Sequence, residues 1–198
     1  MKYILLVVSL FIFNACTVTE PHVTEYRISA KHTEVEFSAK KCQNKSLKIA
    51  QAFSANYLMS KKMRYAKDEY NEFSFTQSEW SRSPNRAITD EIVKSIRRTD
   101  LFKSVQGYKT RSRSNLVLES RIEEFSQYFV SDEQQSYVRI VIAMSLIDVK
   151  SGEIIDTTKL TKSIDVNEIN AKGGVKALNQ ALSTILKDAN IWLNEVCE

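Results

Sequence analysis

Residues 136–149, SYVRIVIAMSLIDV, alternate at first and then turn apolar at every position but Ser145 between Ile140 and Ile147. A strand with two apolar faces has to lie inside a sheet, covered on at least part of each face. The chain must therefore supply strands beside this one and a layer to cover it. Residues 115–125 (NLVLESRIEEF) offer one neighbour. There Leu116, Leu118 and Ile122 face one way and Glu119, Arg121 and Glu123 the other, so one side meets water. The second neighbour follows the turn Lys150-Ser151-Gly152-Glu153. Residues 154–164 (IIDTTKLTKSI) return there as a hairpin strand, with Ile154, Leu160 and Ile164 on one face.

The covering layer reads as two helices. After Gly173-Gly174, Val175, Leu178, Leu182, Ile185, Ala189, Trp192 and Val196 step by three and four. That is one apolar stripe on a helix of about six turns. Its polar side is dominated by Asn179, Gln180, Ser183 and Asn190, less basic than a membrane-surface helix. Packing on the sheet is the plainer reading, a partner-binding helix the other. Upstream, Ser83-Pro84-Asn85 opens a helix in which Ile88, Ile92, Val93 and Ile96 share a face. Arg97 and Arg98 near its end suit the negative pole of the helix dipole. Weaker strand signals lie at 46–53, 56–65 and 70–80, at Leu101, Phe102 and Val105, and at 26–39 through Val35 and Phe37. Together these predict an α+β domain: a mostly antiparallel sheet of about five to seven strands with two helices packed on one face.

The N-terminus is of another kind. Lys2 is the only charge before Glu20, and residues 4–13 are an apolar run ending at Asn14-Ala15-Cys16. A span would need about 20 such residues, whereas a signal-peptide core needs roughly 7–15. A small residue before a cysteine at this point resembles the lipobox of bacterial lipoproteins. An ordinary secretory signal with a nearby cysteine is the alternative. The lipobox reading divides the chain into a signal peptide (1–15), a lipidated leash (16–25) and a single folded domain (26–198). It makes Cys16 the acylated N-terminus. Three acyl chains at about 0.8 kcal/mol per buried methylene hold a protein at a membrane permanently. Thr17, where Asp would mark inner-membrane retention, implies by the same resemblance an outer-membrane anchor facing the periplasm.

An oxidising compartment bears on the other two cysteines. Cys42 and Cys197 form an even pair there and are expected to be bridged, two separate thiols being the alternative. The formal net charge of +4 is too slight to argue for nucleic acid. Basic residues gather at Lys40-Lys41, Lys61-Lys62, Arg97-Arg98 and 109–113 (KTRSR). They read as solvated faces, or as a surface for anionic headgroups or an acidic partner.

No catalytic constellation is visible. The two histidines, His22 and His32, precede the main core signals, so a rigidly held Ser–His–Asp base is not expected. No Cys/His spacing suits a metal, no glycine loop suits a phosphate, and no cofactor is expected. The acidic pairs Asp68-Glu69, Glu123-Glu124 and Asp132-Glu133 read as solvated charge, because neighbours on a strand point to opposite faces. The chain therefore reads as a binding or scaffolding module, not an enzyme.

One stretch carries a family likeness. LMSKKMRYAKDEYNEFSFTQSEWSRSP, then a helix, then DLFKSV, resembles the ABC-type transport auxiliary lipoprotein family, to which the paraquat-inducible C-type lipoprotein belongs. The matching residues are Met63, Tyr65, Tyr70, Trp80, Pro84, Phe102 and Val105. The resemblance implies a non-catalytic accessory subunit of an envelope lipid-transport system. Its implied partners are a periplasmic subunit with a Mce (mammalian cell entry) domain and the ABC permease, with homo-oligomerisation left open. A structural outer-membrane assembly lipoprotein is the other reading.

Overall fold

The computed structural model describes residues 21–32, 41–68, 70–130 and 134–197. Cys16, the Val35 and Phe37 part of the early strand and the Asp132-Glu133 pair lie outside the described residues. The organising element is the long strand β7 (Leu116–Phe129). On one side it pairs antiparallel with β8 (Ser136–Asp148), which pairs antiparallel with β9 (Ile154–Asp165). The strand apolar on both faces is thus central, as its pattern requires.

The other side of β7 is met by one stretch of chain running parallel to it in three pieces. β2 (Ser46–Ile49) lies beside Leu116–Leu118, β3 (Phe53–Ser54) beside Arg121–Ile122, and β4 (Lys62–Ala66) beside Gln127–Tyr128. The first interruption has a visible cause: the Ala52 N–H leaves the ladder and donates to Thr89 Oγ1 at 2.9 Å. The second is a 3-10 turn, Asn56–Met59, where the sequence pattern predicts a strand. β5 (Glu72–Trp80) then folds back antiparallel on β4. Outside these, β1 (Thr24–Tyr26) runs parallel to β5, and β6 (Ser104–Gly107) runs parallel to β2.

Among the described residues the sheet therefore has nine strands and is mixed. The α+β class stands, but the sheet has nine strands where five to seven are expected, and its pairing is mixed. The long central ladders and the short β4–β5 pair are antiparallel. The pieces β2, β3 and β4 run parallel to β7 because the chain advances along it in steps.

Both helices cover one face. Helix α1 (Pro84–Arg97) begins with proline at its first turn, and helix α2 (Ala171–Val196) is capped by Asn170, whose Oδ1 accepts from Gly173 N–H at 2.9 Å. They press on Leu47, Ile49, Leu116, Leu118, Ile122, Ile140, Ile142 and Met144, all essentially buried. The predicted stripe of α2 is buried from Val175 to Trp192. Asn190 Nδ2 donates to Ser95 Oγ at 2.9 Å, tying α2 to α1. Trp192 Nε1 donates to Asp156 Oδ2 at 2.8 Å, tying α2 to β9. Among the described residues no helix is long and apolar enough to cross a membrane.

Candidate functional site

The segment nearest the expected anchor is built into the fold. Thr24 and Glu25, assigned to the leash by sequence, pair with Ser78 and Glu79 through β1. That parallel register sets Glu25 beside Glu79, and Lys61 bridges both, at 3.1 and 3.6 Å. The hydrogen bond to Lys61 holds the Glu25 carboxyl below its usual range and raises the Lys61 ammonium in turn. Such an exposed pair adds little stability but fixes which strand β1 meets.

Residues 27–32 then cross the helices as a strap. Asn179 clamps the strap at both polarities: its Oδ1 accepts from Ser29 N–H at 3.0 Å and its Nδ2 donates to Arg27 C=O at 3.1 Å. Lys31 N–H donates to Ser183 Oγ at 2.8 Å. Glu91 Oε2 accepts from Ala30 N–H at 3.1 Å and lies 3.0 Å from His32 Nε2, while Oε1 takes Lys94 at 2.7 Å. Side chains of α1 and α2 thus supply the partners that a neighbouring strand would otherwise give.

His32 is therefore positioned, contrary to the expectation that neither histidine is rigidly held. It forms no nucleophilic site, however. Nδ1 is buried without a hydrogen-bond partner, so no hydroxyl or thiol among the described residues stands within bonding distance of the ring. A general base needs its proton donor at about 2.6–3.2 Å. His22 lies exposed ahead of β1. Replacing Glu91 with alanine removes three hydrogen bonds from a buried carboxylate, and is expected to cost about 2 kcal/mol. Hydrogen exchange at Ala30 and Lys31 should rise with it, and unchanged protection there would rule out the clamp.

The strap is reinforced by covalent chemistry. Cys42, in the 3-10 turn Lys41–Asn44, is bonded to Cys197 at the C-cap of α2, across a separation of 155 residues. The expected bridge is present.

The opposite face of the sheet carries charge. A register shift between Ile122 and Glu124 is a β-bulge, which inserts one extra residue. It turns Glu123 and Glu124 to the same side, not to opposite faces as simple alternation predicts. Lys159 takes Glu123 at 2.6 Å and Arg139 takes Glu124 at 3.4 Å. Tyr128 stacks on Tyr137 with ring centroids 5.0 Å apart. Burial raises the Tyr128 phenol well above its usual range, and its hydrogen bond to Glu124 adds to the effect. Each carboxylate is neutralised, so the pair is structural.

The residues that carry the family likeness divide by burial. Met63, Trp80, Pro84 and Phe102 are buried, with Trp80 packed 5.7 Å from Phe125. Tyr65 anchors an aromatic group with Phe73, Phe75 and Phe129 at centroid distances of 5.5, 4.6 and 5.1 Å. Beside it runs a groove of about 370 Å³ whose far wall is Ile169, Asn170 and Ala171. Tyr70 alone stands out, 89% exposed at the tip between β4 and β5. Asp68 accepts from the Tyr70 and Asn71 N–H groups at 2.8 and 2.7 Å, so the tip is a fixed Asx turn. An exposed tyrosine three residues from half-exposed Phe73 is the kind of side chain that protein interfaces use.

No family model matches the chain, and no curated protein matches it in sequence. Among solved structures, the fold is similar to protein XCC0632 from Xanthomonas campestris, assigned to DUF330. The TM-score is 0.77 at 13% identity, covering 87% of this chain and 96% of that one. An uncharacterized protein shares it at TM-score 0.67 and 13% identity, over 87% and 99% of the two chains. Protein CT253 from Chlamydia trachomatis is more distant, with TM-score 0.50 at 8% identity, over 78% and 98%. At these identities the likeness is one of fold: this chain has the α+β fold of a DUF330 protein.

Proposed function

We propose that the protein is a non-catalytic, lipid-anchored accessory subunit of an ABC-type envelope lipid-transport system. It is held in the outer membrane through Cys16 and docks onto the Mce-domain periplasmic subunit of the transporter. The observation that carries this reading is the union of anchor and body. The chain leaving the expected acylation site enters the sheet within a few residues and is then strapped across both helices. So short a lead into the fold suits a module that must present a surface at a fixed height. The domain-wide match to a DUF330 fold, the bridged cysteines and the signature residues Met63 to Val105 support it.

Tyr70 and Phe73 are the residues assigned to docking. A photo-crosslinking side chain at position 70, activated in intact envelopes, is expected to capture the Mce-domain subunit. Failure to recover it at this and neighbouring tip positions would count against the assignment. Tyr70→Ala is expected to change stability by less than about 0.5 kcal/mol, being an exposed site. It should weaken docking about tenfold or more, as loss of an interface hot spot does.

A further inference from the structure

Residues 82–113 hold nine Lys/Arg against three Asp/Glu, more positive charge than the whole chain carries. The structure gathers part of it around a shallow groove of about 400 Å³ between α1 and the loop after β6, lined by Arg82, Lys94, Arg97 and Lys109. Its acids are spent: Asp90 is bound to Arg82 at 2.6 Å, and Glu91 lies buried behind Lys94. Arg97 Nε donates to Val105 C=O at 2.9 Å, which leaves the terminal guanidinium nitrogens free for the groove. Lys109 lies 5.6 Å from the Tyr108 ring centroid and has no acidic partner among the described residues. Arg86, Arg98, Lys103, Arg111 and Arg113 of the same segment are exposed, as is the acid Asp100.

We infer that this basic groove is a second membrane contact, a surface for the phosphate headgroups of anionic phospholipid. The inference rests on the proposed acylation of Cys16, and position favours a bilayer over an acidic protein. Ser81 N–H donates to Tyr26 C=O at 2.7 Å, so Arg82 begins the groove directly beside the end of β1. Seven residues lie between Cys16 and Thr24, so the eight steps reach at most about 29 Å. The basic surface beside β1 is thus within reach of the headgroups, where each Lys or Arg near an anionic leaflet is attracted. Two contacts on one rigid body would fix its orientation, and so the direction in which Tyr70 points.

The test uses the full mature chain purified from membranes, with Thr110→Cys carrying a fluorophore, in vesicles containing a spin-labelled quencher lipid. The vesicles are phosphatidylethanolamine alone or mixed with phosphatidylglycerol. Quenching is expected to be about threefold or more stronger in the anionic vesicles. It should fall at about 0.5 M salt, where charge is screened within a few ångströms. Arg97→Glu with Lys109→Glu, both at exposed positions, should abolish the difference while leaving the melting transition in place. Equal quenching in the two lipids, or quenching that survives the charge reversal, overturns the inference. Flotation with vesicles in high salt reads the acyl anchor separately. A chain that fails to float there refutes the anchor, and its quenching in low salt still reads the groove.

Discussion

Replacing Cys42 and Cys197 together with serine is expected to lower the unfolding free energy by roughly 4–5 kcal/mol in the chain-entropy description of a loop this long. The bridge joins positions 155 residues apart, nearly the whole described domain, and both sulfurs are buried. Domains of this size hold about 5–15 kcal/mol in all, so the loss is a large share. The cross-link joins two short turns within the core. Cys42 sits on a four-residue 3-10 turn and Cys197 on the last turn of α2, where its N–H closes on Leu193 and Asn194 C=O at 3.1 and 3.0 Å. Urea unfolding with and without reductant measures the effect. An unchanged midpoint under full reduction would show that the bridge adds nothing to stability.

Gly173→Ala is expected to destabilise the protein by about 3 kcal/mol, at the upper end of ordinary overpacking. The sign is what makes the test sharp. Helix propensity alone predicts that alanine in place of glycine stabilises a helix by about 1 kcal/mol. Here a Cβ on Gly173 would lie 1.9 Å from the backbone oxygen of Glu168, and one on Gly174 would lie 1.9 Å from Gln127 Oε1. The first obstacle is main chain and cannot rotate away. The second is a buried amide already committed to Ser136 and Asn170. Gly174 lets the first turn of α2 close on β7, and Gly173 lets it close on the preceding loop. Gly152, in a turn with φ of 76°, has open space around it, so its alanine variant should cost only about 1–2 kcal/mol, from backbone strain. Thermal melts of the three variants separate steric from conformational cost.

What the sequence made legible follows the physics of periodicity. Leu116, Leu118 and Ile122 on β7, the apolar run on β8 and the stripe on α2 declare themselves because burial repeats at a fixed step. Pairing direction leaves no such mark. Leu47 and Ile49 are buried whether β2 runs parallel or antiparallel, so the stepwise advance along β7 was invisible. Asn56–Met59 lies in a stretch that reads as a strand, yet it forms a 3-10 turn in the gap between β3 and β4, two pieces that both run along β7. Glu123 and Glu124 were misassigned because a bulge resets alternation without a sequence signature. The strap was hidden for the opposite reason. ISAKH alternates like a strand, with Ile28 and Ala30 buried and Ser29 and Lys31 exposed, yet it pairs with helix side chains, Asn179, Ser183 and Glu91, far away in sequence. A further hint was a buried acid, Glu91, on the apolar side of α1 beside Ile88 and Ile92. The bridge, by contrast, followed from compartment and parity alone.

The parallel direction of β1 has a mechanical consequence. Tension applied from the N-terminal side, as the proposed acylation of Cys16 would apply it, meets Thr24, Glu25 and Tyr26 all paired sideways with β5. The load is therefore shared by the rungs at once, in shear, and is not concentrated on one bond at a time as in unzipping. Beyond them the clamps of Asn179, Ser183 and Glu91 take up the same force in series. Under the proposed anchor and docking, a body drawn between the two would thus keep its fold under strain.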